Sequence, residues 1–438
     1  MLIWFQQRPA PQKLFYLFLG GLLLLTLCVM TVSIVSGDSV DLIISDANGY
    51  YAWTRSILMD GDVDFRNDYA LLYSPDPLPS DMERLTPRGL PPNKYPIGMA
   101  ILTLPGFVAG HLTALVTPFA TDGASLPYHV WVTVSLVLLV LWSFHLFFHA
   151  LLGYGIRSET ALLVSGLSLA GTNLLHYIAK EPAMSHAAGV ALLNGLIWFS
   201  TQRPFLARRP QLASGIVGAI SGLLIVVRLS NLVFLPFITL LFQSQLKQLK
   251  NWPPLLAGGS FFLLIQQLAY FWLWGRFILY PYKGEGFYAG LPGIWRAVVG
   301  QAWGVFLHHP WYLVLVTMTL VGLVSPFMRR AQSQHWGLLF TTVIGFTGLW
   351  ILNGLWDNFA NSFGHRAFIE TLPALSLSAA WVLDKFSLSL SKVWRWLGLV
   401  LVGGLVFLNG HIWLGYLLNA YDHNPHRTLA EVYFWIWH

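Results

Sequence analysis

The chain has 438 residues, 55% of them hydrophobic and only 10% charged, with a mean hydropathy of +0.59. Soluble domains carry about 25% charged residues, so this composition excludes a fully water-solvated globule and makes lipid the solvent for much of the surface. The net charge of +6 comes with no Lys/Arg-rich run interleaved with aromatics, which argues against nucleic-acid binding, and the single Cys28 permits no intrachain disulfide.

In chain order, the first apolar run, Leu14 to Val35, follows Arg8 and Lys13. It exceeds a signal-peptide core, and no clear small-x-small cleavage site follows, so it is expected to be a retained first spanning helix. Further bilayer-length runs lie near 127–152, 160–179, 184–200, 212–229, 230–244, 254–275, 310–328, 335–353, 367–384 and 396–418. With the first run near 14–36, they predict an all-α polytopic bundle of about eleven spans. The run 212–244 contains Arg228 and lies between Arg203, Arg208 and Arg209 on one side and Lys247 and Lys250 on the other. Two basic loops on one side of a membrane require two passes between them, with Arg228 at the turn.

The stretch 97–117 is apolar enough to span, but Pro105, Gly98, Gly106 and Gly110 weaken it as a straight helix. If it lies along the membrane and the N-terminus is inside, 13 of the 25 Lys and Arg fall in the cytosol with only Glu159 and Asp384 as acids. That asymmetry obeys the positive-inside rule and is the expected topology. If 97–117 spans, an N-terminus outside rescues the later loops but puts 37–96 in the cytosol. The expected arrangement is one transmembrane domain, 1–438, with a long first external loop, 37–126, carrying the catalytic region, and a second, 276–309. Shorter external turns fall near 180–183, 228–230 and 354–366, and the tail 419–438 is external.

Within the first loop Tyr50, Tyr51, Trp53, Ile57 and Leu58 recur at helical spacing, which predicts a short amphipathic helix lying in the interface. Asp46 stands at its start, as an N-cap, or as a general base or metal ligand facing a lipid-borne substrate. Asp60, Asp62 and Asp64 alternate around Gly61, a spacing that suits either a divalent cation or a polar turn. Lys94 sits where water meets lipid and suits a phosphate or a snorkelling role. Glu181 and His186 join two spans on the same side. Arg228, a charge in an apolar run, is costly unless it faces a partner or ligand, and its fork suits phosphate. Arg366 returns at the surface after a polar turn. Tyr50, His186, Tyr282 and Glu285 are the polar groups expected to contact substrate. His145 and His149, one turn apart, read as packing residues, and His308 and His309, being adjacent, cannot share one helix face. No Walker-type loop, HExxH or GxSxG occurs, so nucleotide-driven pumping and the common hydrolase sites are unsupported.

Together and in this order, Ser45 to Asp64 (SDANGYYAWTRSILMDGDVD), Lys94 to Pro105 (KYPIGMAILTLP), Glu181 to His186 (EPAMSH), Arg228 to Asn231 and Phe363 to Pro373 (FGHRAFIETLP) resemble the GT-C superfamily of integral membrane glycosyltransferases, of the mannosyltransferase or aminoarabinose-transferase type. The resemblance reaches to about residue 385. It implies a polyprenyl-phosphate sugar as donor, an acceptor glycan, lipid or protein, and inversion at the sugar through one base. It maps the acid of the first external loop to Asp46 and a second acid to Glu181, the catalytic pair, and the donor-phosphate cations to Lys94, Arg228 and Arg366. It also admits a divalent cation, Mg or Mn. Many relatives carry a second acid directly after the first, and here Ala47 stands in that place, so a two-carboxylate metal site at Asp46 is incomplete. The implied setting is a cell envelope, a bacterial inner membrane with the site facing the periplasm; the lack of any Asn-x-Ser/Thr sequon agrees. A polytopic transporter or lipid-linked sugar flippase is the alternative, though transporters gather ionisable residues near the bilayer midplane and often show paired repeats. A polymerase or ligase using a pyrophosphate-linked donor needs similar cations.

Overall fold

The computed structural model describes residues 9–36, 42–73, 84–278, 281–282, 286–288, 290–302, 304–325, 333–356, 362–389, 392–420 and 428–437. Among them every regular element is helical, and the one strand-like pairing is an isolated bridge between Phe287 and Trp356. The chain opens with α1 (Ala10–Val35), α2 (Asp46–Arg55), α3 (Arg66–Leu72), α4 (Gly98–Leu115) and α5 (Leu126–Gly153). The expected span 160–179 is split at 171–173 into α6 (Ser158–Ala170) and α7 (Leu174–Ala179). Next come α8 (Ser185–Ser200), α9 (Arg203–Arg208), α10 (Pro210–Val227), α11 (Leu235–Leu241), α12 (Gln243–Leu246) and α13 (Trp252–Trp274). The chain ends with α14 (Leu291–Val299), α15 (Val305–His308), α16 (Pro310–Val324), α17 (Ser333–Leu355), α18 (Leu372–Ser389), α19 (Lys392–Leu417) and α20 (Leu429–Tyr433). Eight helical stretches are long and apolar enough to cross a membrane: α1, α4, α5, α10, α13, α17, α18 with its 3-10 lead, and α19.

Contacts between connections define two ends of the bundle. At one end Tyr154 and Ser200 share a hydrogen bond of 2.6 Å, and Arg157 Nε donates to Asp384 Oδ1 at 3.0 Å. At the other, Asp46 meets Arg366, and Tyr50 meets Ser185. The first is the basic end, holding Arg203, Arg208, Arg209, Lys247 and Lys250. The run 212–244 does turn at Arg228: α10 stops at Val227, Arg228 takes extended backbone (φ −159, ψ 121), and a 3-10 turn leads into α11.

One expectation is refined and one corrected. The stretch 97–117 is helical despite Pro105 and is long and apolar enough to cross a membrane. As α4 it packs lengthwise and antiparallel against α5, because Gly106 and Gly110 let its backbone touch α5 at Val132 and Tyr128. Its start meets α10, where Gly98 abuts Val226, and beyond its C-terminal end the Gly123 carbonyl accepts from the Tyr51 hydroxyl at 2.6 Å. The 37–126 segment thus returns to the end from which it starts. The amphipathic helix α2 exists, but it does not rest in the interface. Tyr51 and Trp53 are buried in protein, and Trp53 Nε1 donates to the Tyr95 carbonyl at 2.9 Å. Its aromatic stripe is covered by α4 and the following loop rather than by lipid, and only Leu58, in the π-helical turn after it, is strongly exposed among the five residues of that pattern.

One packing detail sets the height of the site. α10 and α13 run parallel in backbone contact. A Cβ on Gly218 would lie 2.0 Å from the Leu255 carbonyl oxygen, and one on Gly222 would lie 2.5 Å from that of Gly259. Small residues at such a seam let dispersion and close approach hold helices together where lipid offers no hydrophobic drive. The seam fixes Arg228 at the top of α10 beside Gln266 and Tyr270 of α13. Gln266 Oε1 accepts from the Ile97 amide at 2.8 Å, and the Tyr270 hydroxyl donates to the Lys94 carbonyl at 3.4 Å.

Candidate active site

Asp46 is the first residue of α2 and not its N-cap; Ser45 holds that position with φ +57 and no side-chain cap bond. The Asp46 carboxylate instead accepts from Arg366 Nη2 at 2.7 Å on Oδ2 and from the Tyr95 hydroxyl at 2.9 Å on Oδ1. Both partners of this ion pair stay partly open, at 29% and 22% side-chain exposure. Burial opposes ionisation of Asp46, but the Arg366 guanidinium, the Tyr95 hydroxyl and Lys94 outweigh it and hold the carboxyl below its usual range. Lys94 is the residue before Tyr95, and its Nζ lies over the Tyr95 ring at 5.6 Å and the Tyr282 ring at 5.8 Å, within cation–π range.

Tyr50, one turn along α2, carries the site to α8 through a 3.0 Å bond between its hydroxyl and Ser185 Oγ. Burial and the neighbouring Asp46 push the Tyr50 hydroxyl up to about 12, so it remains protonated. His186 follows Ser185. Its ring lies between Glu370, 3.1 Å from Nδ1, and Arg228, whose Nη1 is 2.7 Å from Nε2. Arg228 Nη1 also lies 2.5 Å from Nδ1, so the guanidinium sits against both ring nitrogens. Glu370 is fully buried and also lies 3.6 Å from Arg228. Gly189 makes its room, since a Cβ there would come 2.8 Å from Glu370 Cγ. A buried carboxylate is tolerated only with such partners.

Glu181 lies in the connection between α7 and α8, with its carboxylate 3.1 Å from His176 Nε2. Burial opposes its ionisation, and His176 and Arg366 reverse that balance, so its carboxyl also lies low. The structure therefore brings Asp46, Tyr50, Lys94, Glu181, His186, Arg228, Arg366 and Tyr282 to one end of the bundle. Glu285 lies outside the described residues. Sequence reasoning missed Tyr95, His176 and Glu370. Glu370 was legible as a lone acid one turn after Arg366 in an otherwise apolar helix start, a position where charge demands a partner.

The Asp60–Asp64 segment is a turn. Asp62 Oδ1 accepts from Ser56 Oγ and the Asp64 amide, Asp60 binds Arg55, and Asp64 pairs with Arg66. Their carboxylates are engaged separately. Among the described residues no three His, Cys, Asp or Glu side chains gather as a metal group. At Asp46 both oxygens already have partners and Ala47 offers no second acid, so a divalent cation there would take most of its oxygens from water or a substrate phosphate. His149 bonds the Tyr16 hydroxyl at 3.0 Å and stacks edge-on with His145, as a packing pair does.

No family model matches the chain, and no curated protein or solved structure matches it significantly.

Proposed function

We propose that this integral membrane protein is a glycosyltransferase that moves a sugar from a polyprenyl-phosphate donor to an acceptor at the Asp46 end of the bundle. The observation that carries the reading is the Asp46–Arg366 pair, a carboxylate bonded to a cation at the end of the bundle that also holds Lys94 and Arg228. A polyprenyl-phosphate sugar presents an anionic phosphate at the lipid–water boundary, with its chain in lipid.

In the proposed reaction the acceptor oxygen or nitrogen forms a bond to the anomeric carbon while the carbon–oxygen bond to phosphate breaks. The acceptor proton passes to the Asp46 carboxylate, and the bonding pair leaves with the phosphate, which gains a negative charge. Arg366, Arg228 and Lys94 are the cations that would stabilise that charge, and prepositioned charges act most strongly where water is excluded. Alone, a carboxylate held low by Arg366 is a weak base. A donor phosphate that draws Arg366 away removes the main partner holding Asp46 low, so donor binding and base strength are coupled. Tyr95 keeps the carboxylate oriented during the exchange. His186 and Glu370 hold Arg228 from behind.

The test is a proteoliposome assay with a polyprenyl-phosphate sugar labelled in the sugar and a membrane extract as acceptor source. The proposal predicts transfer of label out of the donor lipid and release of polyprenyl phosphate. Donor that changes leaflet but stays intact would instead identify a flippase.

A further inference from the structure

The basic end of the bundle holds a second feature that the Asp46 site does not use. A cavity of about 1030 Å³ opens there between the ends of α8, α10, α11 and α17. That volume is at the upper end of small-molecule sites. Arg203 and Lys250, which come from two separate connections, both line it, with the Gln245 and Gln248 amides and the buried Leu206 and Leu241 as apolar floor. No carboxylate lines it, and no Asp or Glu occurs between Glu181 and Glu285. Asp384, at the same end, is engaged by Arg157 Nε at 3.0 Å and by Thr160 Oγ1 at 2.8 Å. Neither Arg203 nor Lys250 has an ion-pair partner among the described residues.

Two uncompensated cations in a concave, part-apolar site call for an anion that also has an apolar part. The chain neighbours of Lys250 show which kind. Leu249 is 83% exposed, and the Trp252 ring is exposed with its Nε1 donating to the Leu246 carbonyl at 2.9 Å. Such a Trp is characteristic of the lipid–water boundary, and a soluble phosphate would gain nothing from the Leu206–Leu241 floor. We propose that this cavity binds the phosphate-bearing head group of an anionic lipid, in the leaflet opposite the one that meets Asp46. The inference stands whether or not the proposed transferase reading holds.

The test uses the full chain in zwitterionic detergent, with phosphatidylglycerol, phosphatidylcholine and inorganic phosphate as probes and thermal unfolding as readout, since a ligand that binds only the folded state raises its melting temperature. Phosphatidylglycerol should stabilise the protein, and phosphatidylcholine should not. The double variant Arg203→Gln/Lys250→Gln should weaken phosphatidylglycerol binding by about 30-fold, the attraction two cations exert near an anionic surface. Arg208→Gln/Arg209→Gln, which removes the same charge from the same end but outside the cavity, should change it by less than about 3-fold, being left only with screened attraction. Ala207→Trp narrows the cavity beside Arg203 while keeping both cations and should also weaken binding, so the proposal can still be decided if the first double variant does not fold. Equal losses in the two double variants would overturn it in favour of diffuse surface attraction. Undiminished binding in Ala207→Trp would also overturn it, and so would full displacement by millimolar inorganic phosphate, which would mark a soluble-anion site.

Discussion

Arg366 and Asp46 are 320 positions apart in the chain and joined by a 2.7 Å bond. This pair closes the start of α2 onto the turn that leads into α18, and it also sets the acidity of the carboxylate. Arg366 is the strongest partner holding Asp46 low against burial. In Arg366→Gln the Asp46 carboxyl should therefore titrate at higher pH. If Asp46 works as a base, activity requires it ionised, and the acid limb of the pH–rate profile should move to higher pH beyond any uniform loss of rate. An unmoved limb would separate Asp46 from the titration that controls activity.

Arg228 lies against His186, with its Nε donating to Ser230 Oγ at 2.9 Å. A guanidinium offers a fork of donors, whereas lysine offers a point charge. Arg228→Lys should keep expression and folding and lower turnover by about 10-fold or more, the loss expected from one charge-assisted hydrogen bond of roughly 1.5–3 kcal/mol. Full activity would assign Arg228 to anchoring rather than to substrate.

Glu370 is the acid behind that arrangement. Glu370→Gln keeps its shape but leaves Arg228 facing a neutral group, and removing one partner of a buried ion pair costs about 3–5 kcal/mol. The variant should melt at lower temperature and lose folded material on size exclusion in detergent. An unchanged melting temperature would mean that Glu370 does not hold an ionised partner.

Much of this was readable from sequence, for physical reasons that also show where reading stops. The apolar runs map onto helices because backbone in lipid must satisfy its own hydrogen bonds. Arg228 announced its turn because a charge is costly in an apolar run. Glu370 was passed over because its partners, His186 and Arg228, arrive from distant segments, so its local sequence signals the need for a partner but not which one. Gly106 and Gly110 look like helix breakers in one dimension, whereas in α4 they are contact points against Val132 and Tyr128. The α2 stripe has the period of an interfacial helix, and a periodicity cannot tell whether lipid or protein will cover it.

Asp68 is fully buried beside Arg55, 2.8 Å away, and burial nevertheless raises its carboxyl to about 6 from 3.8. The folded state thus retains a proton that the unfolded chain releases. The resulting stabilisation is complete below the unfolded value and is lost as pH rises through about 6. Compared with Asp68→Asn, which does not titrate there, the native protein should lose relative stability between about pH 4 and about pH 7 and then level off. Thermal melts of both proteins across that range check this, and a relative gain with rising pH would mean that the Arg55 pair outweighs burial.

The most direct measurement compares polyprenyl-linked lipids in cells overproducing the native chain and Asp46→Asn at matched expression. Loss of a general base typically slows a reaction by about 10²–10⁴-fold, so a polyprenyl-phosphate sugar should accumulate only with the variant, as donor left unused. Identical lipid profiles, at a detection limit that would register such a donor, would contradict Asp46 as the base and the polyprenyl-phosphate transfer built on it.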